Sequence, residues 1–319
     1  MKKVLVTYEI PENGLEILRK HFEVDINKTD KPLNKEYFKK NISNYFGVLT
    51  MLYDPIDKEV LNRAKDNVKI ISNYAVGYNN INIDIARDYG ITVCNTPGVL
   101  TNATSEIAFG LMISIMRRIV EGDKYVRKNN FNGWRPKLLI GEELKNKTVG
   151  IFGMGRIGKA FAKKCNGFDM NIIYHDRNQL NPEEEKKYNA KFVSFLELIK
   201  KSDIISIHAP LTEETKHSFT EDTFDKMKNG TYIINTGRGA VIKESDLVKA
   251  LKEKKIKAAG LDVYEHEPEI HNELIDMENV VLLPHIGSAS KYAREEMSRM
   301  AAQAIVDVYK GIAPENKIV

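Results

Sequence analysis

Arg238, Glu267 and His285 have the types and the spacing for an acid–base reaction on a small carboxylate. Arg238 follows the β-rich run 231–234, Glu267 follows 258–263, and His285 follows Val280-Val-Leu-Leu-Pro284. As strands of one parallel sheet, these runs would place all three residues beyond its carboxyl edge, where ligands of such sheets bind. A guanidinium offers a planar, two-pronged donor to a carboxylate and cannot lose its charge. An imidazole is the side chain best suited to hand over a proton near neutral pH, and a carboxylate beside it fixes its tautomer. Each residue alone has a plain structural reading: a solvated arginine, a polar loop of Glu265, His266 and Glu267, a core histidine. Their joint placement is what points to chemistry.

A second constellation supplies a reason for a cofactor. Thr148-Val-Gly-Ile-Phe-Gly-Met-Gly-Arg-Ile-Gly158 reads as a strand, a tight turn and the first turn of a helix. That is the geometry a dinucleotide pyrophosphate needs. Gly153 permits the turn, Gly155 lets backbone approach the phosphates, and Gly158 lets the helix lie close to the strand. The helix then offers open N–H groups and the positive end of its dipole to an anion. Met170-Asn-Ile-Ile-Tyr174 reads as the next strand and runs into Asp176. An acid there accepts hydrogen bonds from an adenosine ribose and repels a 2′-phosphate, so NADH is expected over NADPH.

The elements that must position these groups alternate along the chain. In the first ninety residues, strand candidates are 4–6, 24–26, 48–49, 70–71 and 92–93, with helices near 12–20, 34–40, 57–65 and 83–89. Such alternation means a parallel sheet with helices on both faces. Gly90 marks a helix end, and Asn95-Thr-Pro-Gly98 breaks the pattern. Thr101 or Asn102 then caps a long helix with Ile107, Leu111, Ile115 and Ile119 on one face. The stretch 123–147, with the single Trp134, shows no period and reads as a long functional or interface loop. Six strands follow, at 148–152, 170–174, 203–207, 231–234, 257–261 and 280–283, and a last helix spans about 291–310. The expectation is an α/β protein of two doubly wound parallel-sheet domains. Residues 1–99, completed by 290–319, form a flavodoxin-like substrate domain, 100–289 form a Rossmann-type nucleotide domain, and the two enclose a cleft.

Bulk composition narrows the classes. A chain of 319 residues has room for two cores. Its 42% hydrophobic and 29% charged residues exclude wholesale disorder. The net charge of +4 is spread among acids, which gives nucleic-acid binding no support. Cys94 and Cys165 lie too far apart in sequence for a Cys-x-x-Cys metal or redox pair, so no metal is expected and a reducing cytoplasm fits. The apolar start ends at Thr7 with Pro11 close behind, unlike a signal peptide, and the apolar run 107–116 is about half the roughly twenty residues a membrane span needs.

These motifs together resemble the D-isomer-specific 2-hydroxyacid dehydrogenases, along the whole chain. The likeness is carried by Tyr74-Ala-Val-Gly-Tyr-Asn-Asn-Ile81, Asn95-Thr-Pro-Gly98, the glycine turn with Asp176, His208-Ala-Pro210, Ile234-Asn-Thr-Gly-Arg-Gly239, Gly260-Leu-Asp-Val263, Glu267-Pro268 and Leu283-Pro-His-Ile-Gly287. The resemblance implies that Arg238 grips the substrate carboxylate, that His285 is the acid/base and that Glu267 supports it. It places Arg156, Ile157, His208, Ala209, Pro210, Thr236, Gly237, Asp262, Gly287 and Thr104 along NAD, and Val76 and Gly77 as a backbone cradle for the substrate carboxylate.

Within the family, Thr50-Met-Leu-Tyr-Asp54, Trp134 and 279–290 look most like the glyoxylate/hydroxypyruvate reductase branch. There the loop around Leu52 faces the substrate, and the tryptophan reaches the second subunit of a homodimer formed through the nucleotide domain. D-lactate dehydrogenase and a 2-ketogluconate-type reductase are the alternatives within the enzyme class. A dinucleotide-sensing regulator like the C-terminal-binding corepressors is the alternative outside it.

Overall fold

In the computed structural model, which describes residues 1–29 and 31–319, strands and helices alternate along almost the whole chain. The chain divides into two units, Met1–Leu100 with Ala289–Val319, and Thr101–Ser288.

The first unit carries strands β1 (Lys3–Val6), β2 (Glu23–Ile26), β3 (Gly47–Thr50), β4 (Ile70–Asn73) and β5 (Thr92–Cys94). Its first four helices are α1 (Glu12–Arg19), α2 (Lys35–Asn41), α3 (Lys58–Ala64) and α4 (Ile83–Asp88). The sheet is parallel, in the order β2-β1-β3-β4-β5, the doubly wound flavodoxin-like order. Asn34, Asp57 and Asn82 each accept a hydrogen bond from a backbone N–H of the helix they precede, which sets where α2, α3 and α4 begin. Strand alternation splits the sheet's neighbours. Ile71 joins the core of Leu5, Phe38, Val48, Val60 and Val93, while Ser72 next to it donates to the Ala301 carbonyl of the last helix.

The second unit holds α5 (Thr101–Met116), α6 (Ile119–Arg127), α7 (Arg156–Asn166), α8 (Pro182–Tyr188), α9 (Phe195–Lys201), α10 (Glu221–Lys226), α11 (Glu244–Lys252) and α12 (Asn272–Asp276). Its strands are β6 (Thr148–Phe152), β7 (Asn171–His175), β8 (Ala190–Phe192), β9 (Ile204–Ile207), β10 (Thr231–Asn235), β11 (Ile256–Leu261) and β12 (Val280–Leu282). The order β12-β11-β10-β9-β6-β7-β8 is all parallel and reverses direction between β6 and β9, as in a Rossmann sheet. One core packs Phe161, Met112, Ile151 and Ile234, and another packs Phe219, Phe224, Leu247 and Ile233. Every residue of β10 is buried, as a central parallel strand covered on both faces must be. The final helix, α13 (Lys291–Tyr309), belongs to the first unit. Among the described residues no helix is long and apolar enough to cross a membrane.

Three expectations change. Ala190-Lys-Phe192 is a strand that the sequence reading misses, because a three-residue edge strand is too short to show a period. The helix starting at Thr101 stops at Met116, so Ile119 does not continue its face. Arg118 turns left-handed at φ 54°, Ile119 stands 50% exposed, and the Glu142 N–H takes up the Met116 carbonyl 2.9 Å away. The stretch 123–147 is therefore not loop throughout, since α6 runs to Arg127 and Arg118 braces its first turn through Glu121 at 2.7 and 2.5 Å.

Candidate functional site

The glycine turn sits at the reversal point of the second unit's sheet, between β6 and α7. Gly153 has φ 97°, and a Cβ there would lie 2.5 Å from the Ala209 backbone N. At Gly158 a Cβ would meet the Gly153 carbonyl at 2.2 Å. Gly155 differs: it is exposed, and a Cβ there would meet nothing within 4 Å. Gly155 is also the residue before α7 and contributes no side-chain cap, whereas Asn181 and Ser194 cap α8 and α9. Arg156 is exposed and Ile157 half-buried in the first turn. An open backbone platform ahead of an uncapped helix fits a pyrophosphate.

The rim of that platform is built from neighbouring strand ends. Asp176 lies just past β7, and its Oδ2 accepts the Met154 N–H at 2.7 Å, which holds the acid beside the turn. After β9, the His208 N–H donates to Phe152 at 2.8 Å, and the imidazole stands 2.9 Å from Ser206 Oγ and 3.5 Å from Thr236 Oγ1. Burial pushes the His208 ring down to about 3, so it stays neutral. Ala209 packs against Gly153, and a Cβ at Gly237 would lie 3.0 Å from the Ala209 carbonyl. Pro210 follows, and its carbonyl accepts from Thr215 Oγ1 at 2.6 Å.

Arg238, Glu267 and His285 come from the loops after β10, β11 and β12. Asn235 shapes the first of these loops: its Oδ1 accepts the Gly237 N–H at 3.0 Å, and its Nδ2 donates to the Arg238 carbonyl at 3.0 Å. His285 Nδ1 stands 2.8 Å from Glu267 Oε2, and the Tyr264 N–H donates to Glu267 Oε1 at 3.0 Å. Burial pushes the Glu267 carboxyl up, but the hydrogen bond and charge of His285, with the Arg238 guanidinium adding, hold it below its ordinary value.

The histidine's loop is tied down from β11. Asp262, 1% exposed, accepts the Ile286 and Gly287 N–H groups, both at 2.7 Å, and the Tyr264 hydroxyl donates to the Leu283 carbonyl at 2.8 Å. Burial raises the Asp262 carboxyl, against those two N–H bonds and the nearby imidazole. A Cβ at Gly287 would come 3.2 Å from Thr104 Cγ2, so Thr104, Asp262 and Gly287 form one cluster. His285 itself is held at φ 53°, a conformation uncommon for a side-chain-bearing residue. The positioning group Tyr264 escapes the sequence reading, because nothing in its own neighbourhood says that its hydroxyl reaches the distant Leu283 carbonyl.

Leu52, Val76 and Gly77 belong to the first unit, at the carboxyl ends of β3 and β4. Leu52, Val76 and Gly77 are all half-buried. Among the described residues no group of three or more His, Cys, Asp or Glu is placed to hold a metal ion.

Comparison with known proteins gives this architecture relatives. The sequence model described as "D-isomer specific 2-hydroxyacid dehydrogenase, NAD binding domain" matches residues 109–287. A glyoxylate reductase of Thermococcus litoralis is 45% identical over 320 residues, covering 99% of this chain and 96% of that one. The crystal structure of a glyoxylate reductase from Paecilomyes thermophila is similar with a TM-score of 0.89 at 32% identity, over 99% of this chain and 98% of that chain. An NADPH-dependent glyoxylate/hydroxypyruvate reductase of Sinorhizobium meliloti, crystallised with citrate, is similar with a TM-score of 0.86 at 26% identity, over 100% of this chain and 98% of that chain.

Proposed function

The chain belongs to the D-isomer-specific 2-hydroxyacid dehydrogenases, in their glyoxylate reductase branch, and on that premise we propose that it is an NADH-dependent reductase of small 2-oxo acids, with glyoxylate and hydroxypyruvate as leading substrates. The observation that carries the reading is the 2.8 Å contact between Glu267 and His285, with Arg238 in the adjoining loop, all at the carboxyl edge of the sheet that bears the glycine turn.

Arg238 holds the substrate carboxylate through its two-pronged donor face. Glu267 accepts the Nδ1–H of His285, which leaves Nε2 as the nitrogen that presents a proton to the carbonyl oxygen. Val76 and Gly77 supply backbone N–H groups to the carboxylate, and Leu52 contacts the small substituent that distinguishes one 2-oxo acid from another. The nicotinamide, when bound, supplies the hydride to the carbonyl carbon. Asp176 accepts from the adenosine ribose hydroxyls, the basis for expecting NADH over NADPH. The similar Sinorhizobium reductase is NADPH-dependent, so both cofactors are compared in the test.

The protein is proposed to be a homodimer. Trp134 is 83% exposed, with Phe131, Val126 and Ile140 more than half exposed around it in sequence, an apolar surface that suits a partner subunit. A reducing cytoplasm is the proposed compartment, since Cys94 and Cys165 are buried and free.

Steady-state kinetics on glyoxylate, hydroxypyruvate, pyruvate and 2-ketogluconate, each with NADH and NADPH, test this reading. The expected result is the highest kcat/KM on glyoxylate or hydroxypyruvate with NADH. A maximum on pyruvate would make the protein a D-lactate dehydrogenase, one on 2-ketogluconate a sugar-acid reductase. A higher kcat/KM with NADPH would overturn the role given to Asp176. Turnover of none of the four would favour the regulator.

A further inference from the structure

At the carboxyl ends of β3 and β4 lies a buried set of polar side chains that the proposed reaction does not use. Asn73, fully buried as the last residue of β4, has its Oδ1 engaged by Thr50 Oγ1 at 3.0 Å, and its Nδ2 donates to the Gly77 carbonyl at 2.8 Å. The Asn80 amide meets it at 3.3 and 3.4 Å and donates onward to the Met51 carbonyl at 3.0 Å and the Asp54 carbonyl at 3.2 Å. Asp54 Oδ2 closes the circuit by accepting the Met51 N–H at 2.7 Å and the Thr7 hydroxyl. Two loops are thereby tied together through the Asn73 and Asn80 amides: 51–54, which carries Leu52 and bonds Asn80, and 76–80, which carries Val76 and Gly77 and bonds Asn73.

The direction of these bonds is informative. Three consecutive carbonyls are held by the chain: Ala75 by the Thr96 N–H, Val76 by Asn95 Nδ2 and Gly77 by Asn73 Nδ2, each at 2.8 Å. In a trans peptide the N–H points away from its C=O. The N–H groups of Val76, Gly77 and Tyr78 therefore face away from the buried partners, as donors to an anion must.

We infer that Asn73, relayed by Asn80, is a positioning residue for substrate capture: its buried amide sets the Gly77 carbonyl, and with it the anion-facing N–H groups, in register with the Leu52 loop. This rests on the reading of Val76 and Gly77 as substrate contacts. It predicts that damage to the network is felt in substrate affinity and not in the chemical step.

Asn73→Asp and Asn80→Ala test it in the full-length protein, with Arg238→Ala as the control on the underlying reading. Asn73→Asp keeps the shape and the acceptor facing Thr50 but removes the donor to Gly77. KM for glyoxylate should rise about tenfold or more in both variants, the effect of losing one buried hydrogen bond. kcat should stay near the wild-type value, and the NADH Kd, read by nucleotide fluorescence, should be unchanged. A KM within about twofold of wild type in both variants, or parallel loss of kcat and NADH binding, overturns the inference. If Arg238→Ala raises KM while Asn73→Asp does not, the positioning role fails and the functional reading stands. If neither changes KM, the functional reading fails with it.

Discussion

His285 has one ring nitrogen committed to Glu267 and is held by a loop whose two following N–H groups end on Asp262. Such a side chain has little freedom to adopt another tautomer or to swing away. General acid catalysis contributes about 10²-fold or more, so His285→Ala should lower kcat by that factor, and an unchanged kcat would remove the imidazole from the proposed chemistry. Arg238→Ala should act chiefly on KM, because a carboxylate grip is made in the ground state as well as in the transition state. Glu265, two residues before Glu267, accepts the Glu244 N–H at 2.8 Å and stands 2.6 Å from His217 Nε2, so it is engaged elsewhere.

Among the elements, the β6–α7 turn separates the needs of folding from the needs of binding. Gly153→Ala places a Cβ against the Ala209 backbone at a positive φ and should lower Tm. Gly155→Ala meets no protein atom, so it should fold normally and yet weaken NADH binding, since its backbone faces the proposed pyrophosphate. Equal Tm for the two variants, with equal NADH Kd, would sever the turn from the nucleotide.

The loop after β3 offers a test by pH. Burial pushes Asp54 up to about 6, despite the bonds from Thr7 and the Met51 N–H. The folded state therefore holds a proton that the unfolded chain has released above about 4, and stability is lost as pH rises from there through about 6, by roughly 3 kcal/mol in all. Asn can keep both acceptor bonds without a charge. The Tm of Asp54→Asn relative to wild type should climb across that window and level off above it; a difference independent of pH would refute the assignment.

For the whole molecule, the exposed apolar side chains of α6 and of the segment around Trp134 argue for a second copy of the chain. Light scattering should give a mass near twice 36.3 kDa. Trp134→Lys should shift it toward one chain, and a wild-type mass of a single chain would remove the dimer.

Much of this was legible in the residues alone, for local reasons. Alternation of apolar strand runs with helical patterns specifies two parallel sheets, because that pattern is written in neighbouring positions. The glycine turn and the Asp176 strand end are equally local, and Arg238, Glu267 and His285 are readable because a parallel sheet puts its strand ends on one edge. Ala190–Phe192 and the break at Arg118 were not, since the first is defined by the strand it pairs with and the second by a returning segment that caps α5 at Glu142. Tertiary structure alone decided that Glu265 turns to His217, and that Asn73 joins Thr50, Gly77 and Asn80. Periodicity says which face of an element is buried; which groups meet on that face depends on where distant backbone returns, and only the folded chain determines that.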